Sequence, residues 1–162
     1  MGVSVSASTA IIVAGLFFAF TTFYPVAANG FERVTGAQHG ANERALERQN
    51  TAFAVSNATY DPAGASDAGT LTVTATNDGS VGLVAGDATL LVDNEYVDVG
   101  GAEATTAVDG DRDTALWLGG ETLTVEVDER DLSTPVVAGE TRVVLVVESG
   151  VRDTATVTEV AA

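Results

Sequence analysis

No cysteine occurs among the 162 residues, which excludes disulfides, thiolate metal sites and cysteine nucleophiles together and leaves any folded part to stand on its hydrophobic core. Lysine is absent too, so all seven basic residues are arginines. Histidine occurs once, as His39, among glycines in a polar stretch, and it reads as an exposed polar side chain with no triad or metal site to join. Charge of either sign is missing from the first 31 residues. Every charged side chain falls after them, which sorts the chain into a membrane part and a water part.

Residues 10–28 read AIIVAGLFFAFTTFYPVAA, about 28 Å as a helix at about 1.5 Å per residue, which matches a hydrocarbon core of about 30 Å. Nine large apolar residues (Ile11 to Val26) favour insertion by a gross sum of roughly 3 to 5 kcal/mol, and no ionised group opposes it. Pro25 lies near one end, and Tyr24 is placed to anchor at the interface. Val26-Ala27-Ala28 also resembles a signal-peptidase site, but no basic segment precedes the apolar run, so a retained anchor is the preferred reading. Gly2 and Ser6 match a myristoylation pattern by coincidence, since a lipid adds little beside a full span. Arg33, the nearest base, pulls its own end inward, whereas the sequon Asn57-Ala58-Thr59 makes Asn57 a candidate N-glycosylation site and favours an outward-facing C-terminal part.

The net charge of −16 falls wholly on residues 51–162, which hold 20 acids against four arginines. An acidic domain without lysine suits molar salt, where the Debye length is about 3 Å and self-repulsion is screened. Nucleic acid and anionic lipid are excluded as partners, since no basic patch offsets that charge. The expected organisation is a transmembrane helix over 1–28, a polar juxtamembrane stalk over 29–50 and one acidic β domain over 51–162. Phe31, Val34, Ala41 and Ala45 form a faint helical stripe in the stalk, while Gly30, Gly36 and Gly40 each cost up to about 1 kcal/mol, so helix in patches is expected there.

Beyond Asn50 the apolar period changes to two. Thr70 to Thr76 and Thr122 to Val127 alternate threonine or acid with aliphatic residues. Further runs are Ala52 to Tyr60, Ala88 to Val92 joined through Asp93-Asn94 to Glu95-Tyr96-Val97, Ala115 to Leu118, Thr141 to Glu148 and Thr154 to Val160. The Asp-Gly of Asn77-Asp78-Gly79-Ser80 predicts a turn with positive φ. Seven or eight short strands predict a mainly β fold, an immunoglobulin-like β-sandwich preceded by one transmembrane helix and a short stalk. Val143 to Val147 are apolar on both faces, which fits a central strand with a covered outer face or, alternatively, one that docks another protein. Trp117 is expected in the core.

Catalytic chemistry is not written into the chain. Asp109, Asp111 and Asp113 have the first three spacings of a calcium loop, but Thr114 and Gly120 stand where a glycine and a bidentate glutamate are needed, so a solvated acidic loop is the reading. No phosphate-binding glycine loop or nucleophile elbow is present. The expectation is a non-enzyme with no cofactor and no metal.

Several segments together are similar to a known family: the opening MGVSVSASTAIIVAGLFFAFTTFYPVAANGFERV, RALERQNT from Arg44, NDGS from Asn77, LLVDNEY from Leu90, LWLGGETLTVEV from Leu116 and GVRDTATV from Gly150. With the order anchor, stalk, acidic sandwich, they resemble archaellum stator proteins of the FlaF type from haloarchaea. That resemblance implies a motility component held in the cytoplasmic membrane by a single pass, its C-terminal domain lying in the extracytoplasmic space beneath the S-layer. S-layer protein and the sister stator protein of the FlaG type are the implied partners, and a homo-oligomer is left open. No S-layer-contacting residue is carried by any of these motifs. A pilin-like filament subunit and a secreted or anchored ligand-binding sandwich are the competing readings; the first lacks a basic residue before the apolar run.

Overall fold

The first charge-free residues enter a single α-helix, α1, which spans Gly2–Asn50. In this computed structural model the described residues are 2–62 and 68–160, with side chains described from residue 7. The chain divides into two units, Met1–Arg44 and Ala45–Ala162.

Within the first unit the large apolar side chains from Ile11 to Val34 stand exposed. Pro25 lies inside the helix and removes the bond that the Thr21 carbonyl would accept. One turn earlier, the Thr21 and Thr22 hydroxyls donate to the Phe17 and Phe18 carbonyls at 2.9 to 3.0 Å, and Phe20 stacks on Tyr24. The stalk differs from the expectation of helix in patches, because α1 crosses it without a break. Propagation adds one bond per residue once a helix is nucleated, and an apolar segment gains most by satisfying its backbone internally.

The second unit holds eleven strands among its described residues. In chain order they are β1 Phe53–Asp61, β2 Thr70–Asn77, β3 Leu83–Val84, β4 Thr89–Val92, β5 Glu95–Asp98, β6 Ala104–Val108, β7 Leu116–Trp117, β8 Thr122–Asp128, β9 Arg142–Val146, β10 Arg152–Thr156 and β11 Thr158–Glu159. Five form a sheet in the order β11-β1-β2-β8-β6, four a second sheet in the order β10-β9-β4-β5, and β3 pairs with β7 in a short ribbon. Leaving aside β11, β1-β2-β8-β6 facing β10-β9-β4 is the ABED against GFC order of an immunoglobulin domain, with β5 added beside β4. The mainly β sandwich after one long apolar helix is therefore the fold observed.

The threonine-aliphatic alternation does the sorting. Leu71, Val73 and Ala75 on β2 and Leu123, Val125 and Val127 on β8 point inward and are buried. Leu90, Val92, Val143, Leu145 and Val147 meet them from the other sheet. Each fully buried Val or Leu contributes about 1.5 to 3 kcal/mol of transfer free energy. Trp117 is fully buried, packs edge-on against Phe53 with ring centres 5.8 Å apart, and donates its indole N–H to the Glu121 carbonyl. The core role expected of it holds.

Asp93 and Asn94 both have positive φ, 47° and 70°, as a two-residue hairpin between β4 and β5 requires. Gly79 does not: among the described residues the positive-φ glycines are Gly110, Gly120, Gly139 and Gly150. Glycine is needed at 79 for space instead, because a Cβ there would stand 2.7 Å from the Ala52 nitrogen and the Asn50 carbonyl oxygen. The run Thr154 to Val160 is two strands, not one. It changes sheet at the fully buried Val157, after which β11 lies parallel to β1.

Candidate span, junction and docking face

α1 is the one helix among the described residues long and apolar enough to cross a membrane. His39 is exposed on it. Asn57 is exposed on β1 because of a register shift between Val55 and Asn57; strict alternation from the buried Phe53 would turn Asn57 inward, and the extra residue Ser56 instead brings Ala58 into the core. Asp109, Asp111 and Asp113 are all exposed, and two of them are occupied by backbone: Asp109 Oδ1 accepts from Thr122 N–H at 2.9 Å and Asp111 Oδ1 from Asp113 N–H at 2.8 Å. Among the described residues no group of three His, Asp or Glu side chains is arranged to hold a metal ion.

The last turn of α1, from Ala45, belongs to the sandwich unit and is tied to it by hydrogen bonds. Arg48 Nε donates to the Ser149 carbonyl at 2.9 Å, Ser80 N–H to the Asn50 carbonyl at 3.1 Å and Asp78 N–H to the Ala52 carbonyl at 2.9 Å. Thr51 closes the helix, its N–H and hydroxyl both donating to the Glu47 carbonyl. Beneath this junction lies Asn77, fully buried. Its Nδ2 donates to the Val81 and Trp117 carbonyls at 3.0 Å, and its Oδ1 accepts from Gly79 N–H at 2.9 Å. A buried amide satisfied on both sides fixes the loop that receives the helix.

The outer face of the five-stranded sheet is a threonine array, Thr70, Thr72, Thr74 and Thr76 of β2 beside Thr122 and Thr124 of β8. At one end it dips into a concavity lined by Asp61, Thr105, Glu126 and Asp128. Arg112 pairs with Glu126 and Arg130 with Asp128, each at 3.1 Å. Nearby, Tyr60 Oη donates to Glu129 Oε2 at 2.7 Å; that bond, burial and the Glu129 charge push the phenol up to about 12. Gly69 lies against the Tyr60 ring so closely that a Cβ would collide with it.

The outer face of the four-stranded sheet is different. Register places Asp98, Thr89, Val146 and Arg152 in one row across β5, β4, β9 and β10, and Tyr96, Leu91, Val144 and Thr154 in the next. Tyr96 is 60% exposed and Leu91, Val144 and Val146 are half-buried. Arg142 and Arg152 are both exposed here and enter no ion pair among the described residues, unlike Arg112 and Arg130. Glu95, at the β5 edge, accepts from Ser133 N–H at 2.8 Å, and the Ser133 backbone and hydroxyl together hold its carboxyl below the usual range. Sequence reasoning singled out Val143 to Val147 for this face but missed Asp98, Tyr96 and Arg152. The signal available was that Arg142 and Arg152 bracket the apolar run.

No family model and no curated protein matches the chain. The solved structures similar in arrangement include three at 12% identity. The archaellum periplasmic stator protein FlaG from Sulfolobus acidocaldarius has a TM-score of 0.44 over 65% of this chain and 97% of its own. The FlaF and FlaG stator complex of that organism has 0.43 over 64% and 85%. The ligand-binding region of serine-glutamate repeat protein A from Enterococcus faecium has 0.36 over 70% and 99%. At such identity a likeness carries no activity or partner with it.

Proposed function

We propose that this chain is a non-enzymatic stator component of an archaeal swimming motor, a FlaF-type protein anchored in the cytoplasmic membrane by residues 1–28. Its sandwich grips the S-layer from beneath, and its sister stator protein of the FlaG type is its partner. The observation that carries this reading is the junction. A stationary motor part must pass load from membrane to coat, and here the chain enters the sandwich unit on a helical turn, residues 45–50, that Arg48 and Asn50 tie to the sandwich and Thr51 closes on the Glu47 carbonyl. The family resemblance of the opening segment and of the LWLGGETLTVEV run supports it. Exposure of Asn57 suits an extracytoplasmic sandwich, and Asn57 is proposed as a glycan acceptor.

The test is genetic and chemical together. Cells of the source organism lacking this chain are expected to assemble filaments but fail to swim, and the full chain, not a version lacking residues 1–28, restores swimming. Intact mass of membrane-extracted protein should show an uncut helix. Normal swimming without the chain, or mature polypeptide free in the medium, overturns the reading.

A further inference from the structure

Between the apolar span and the last turn of α1, residues 29–44 are helical, and every one of them except Gly40 is exposed. A helix without tertiary packing stands on its own propensity, which is rarely enough for a segment this short. Here that propensity is poor: Gly30, Gly36 and Gly40 stand in the segment beside Asn29, Thr35 and Asn42. Neither usual reason for a glycine applies to the three. None has positive φ, and a Cβ at Gly30 or Gly36 would meet nothing within 4 Å, while at Gly40 it would meet a guanidinium nitrogen of Arg44 at an ordinary 3.8 Å. Among the described residues no ion pair lies within the segment either. The glycines therefore do one thing to this chain, which is to weaken the helix where they stand. On both sides the backbone is held. Upstream the apolar span satisfies its own bonds, as lipid requires, and downstream Thr51 closes the last turn while Arg48 and Asn50 tie it to the sandwich.

We propose that residues 29–44 are an extensible tether, helical at rest, which unwinds reversibly under tension while the span and the sandwich stay folded. Unwinding takes the segment from about 24 Å, at about 1.5 Å per residue, to at most about 55 Å, at about 3.4 Å per residue. The proposal needs the span to be held in lipid and is independent of the stator reading.

The experiment uses the full chain in lipid nanodiscs. In amide hydrogen exchange, residues 29–44 are expected to exchange faster than residues 10–28 and faster than β2 and β8. Alanine in place of an exposed helical glycine disfavours opening about four- to fivefold. The triple variant Gly30→Ala, Gly36→Ala and Gly40→Ala should therefore slow exchange in the segment by up to about 100-fold and leave the sandwich unchanged. Ala37→Gly with Ala41→Gly should speed exchange there, which separates helix strength from a general effect of substitution. With the nanodisc held and the C-terminus pulled, the wild type should lengthen reversibly by up to about 30 Å before the sandwich ruptures, and the triple variant should need a higher force. Segment amides protected as strongly as those of the span overturn the proposal. So does a triple variant that exchanges at the wild-type rate, or a force trace whose first event is rupture of the sandwich.

Discussion

Replacing Asn77 with alanine removes three hydrogen bonds at once from a side chain with no solvent access. The bond to the Trp117 carbonyl is buried, so its loss leaves an acceptor that water cannot readily reach, whereas the Val81 carbonyl and the Gly79 N–H are only part-buried. Taking about 1 to 3 kcal/mol for the first and about 1 kcal/mol for each of the others gives a loss of about 3 to 5 kcal/mol. For a domain of this size about 4 °C of Tm accompanies each kcal/mol, so Tm should fall by about 12 to 20 °C. Trp117 is the only tryptophan and is fully buried, so its fluorescence reports unfolding of the sandwich without interference from α1. Asn77→Asp keeps the acceptor for Gly79 but turns a carboxylate toward two carbonyls, which raises its folded pKa. It should therefore be least destabilised in acid, below about pH 4, and lose stability as pH rises through the raised value. A drop in Tm of under about 4 °C for Asn77→Ala would refute the view that this amide organises the helix-receiving loop.

Tyr60 is held up to about 12 against an unfolded value of about 10, so its contribution is complete below about pH 10 and is lost as pH rises through about 12. Gly69→Ala should push the ring off Glu129 and bring the phenol back toward about 10 in an ultraviolet titration; an unchanged titration would contradict the packing. Glu95, held low by Ser133, contributes above the unfolded carboxylate value of about 4.3 and ceases to as pH falls through its folded one, so Glu95→Gln should flatten the acid limb of the Tm against pH curve. With 20 acids against four arginines in residues 51–162, Tm should fall as salt drops from molar to about 0.1 M; equal melting temperatures would count against self-repulsion.

The parts of the sandwich legible in the sequence are those where side-chain period alone decides. The alternation along Thr70 to Thr76 and Thr122 to Val127 has one inward solution, and Asp93-Asn94 carries its own hairpin chemistry. β6 was not legible, because Ala104 to Val108 offers small and threonine residues whose strand character comes from pairing with β8. Asp78-Gly79 misled since the same dipeptide serves either a positive φ or a close backbone approach, and only the neighbouring Ala52 and Asn50 distinguish them. The row that Asp98 and Arg152 share across the four-stranded sheet depends on register between strands distant in sequence, so neither residue gave a local sign of it.

The placement of β1 has a mechanical consequence. Tension arriving through Thr51 enters β1 at Phe53, and β1 lies between β2 along its length and β11 near its far end, where Val160 N–H also donates to the Tyr60 carbonyl. Val55 N–H is further held by Asp153 at 2.8 Å. A pull on the first strand therefore meets bonds on both flanks, to its sequence neighbour β2 and to β11, the last strand among the described residues. β11 acts as a clasp on the first strand of the sandwich, and trimming it should lower the rupture force measured on single molecules before it alters the melting curve.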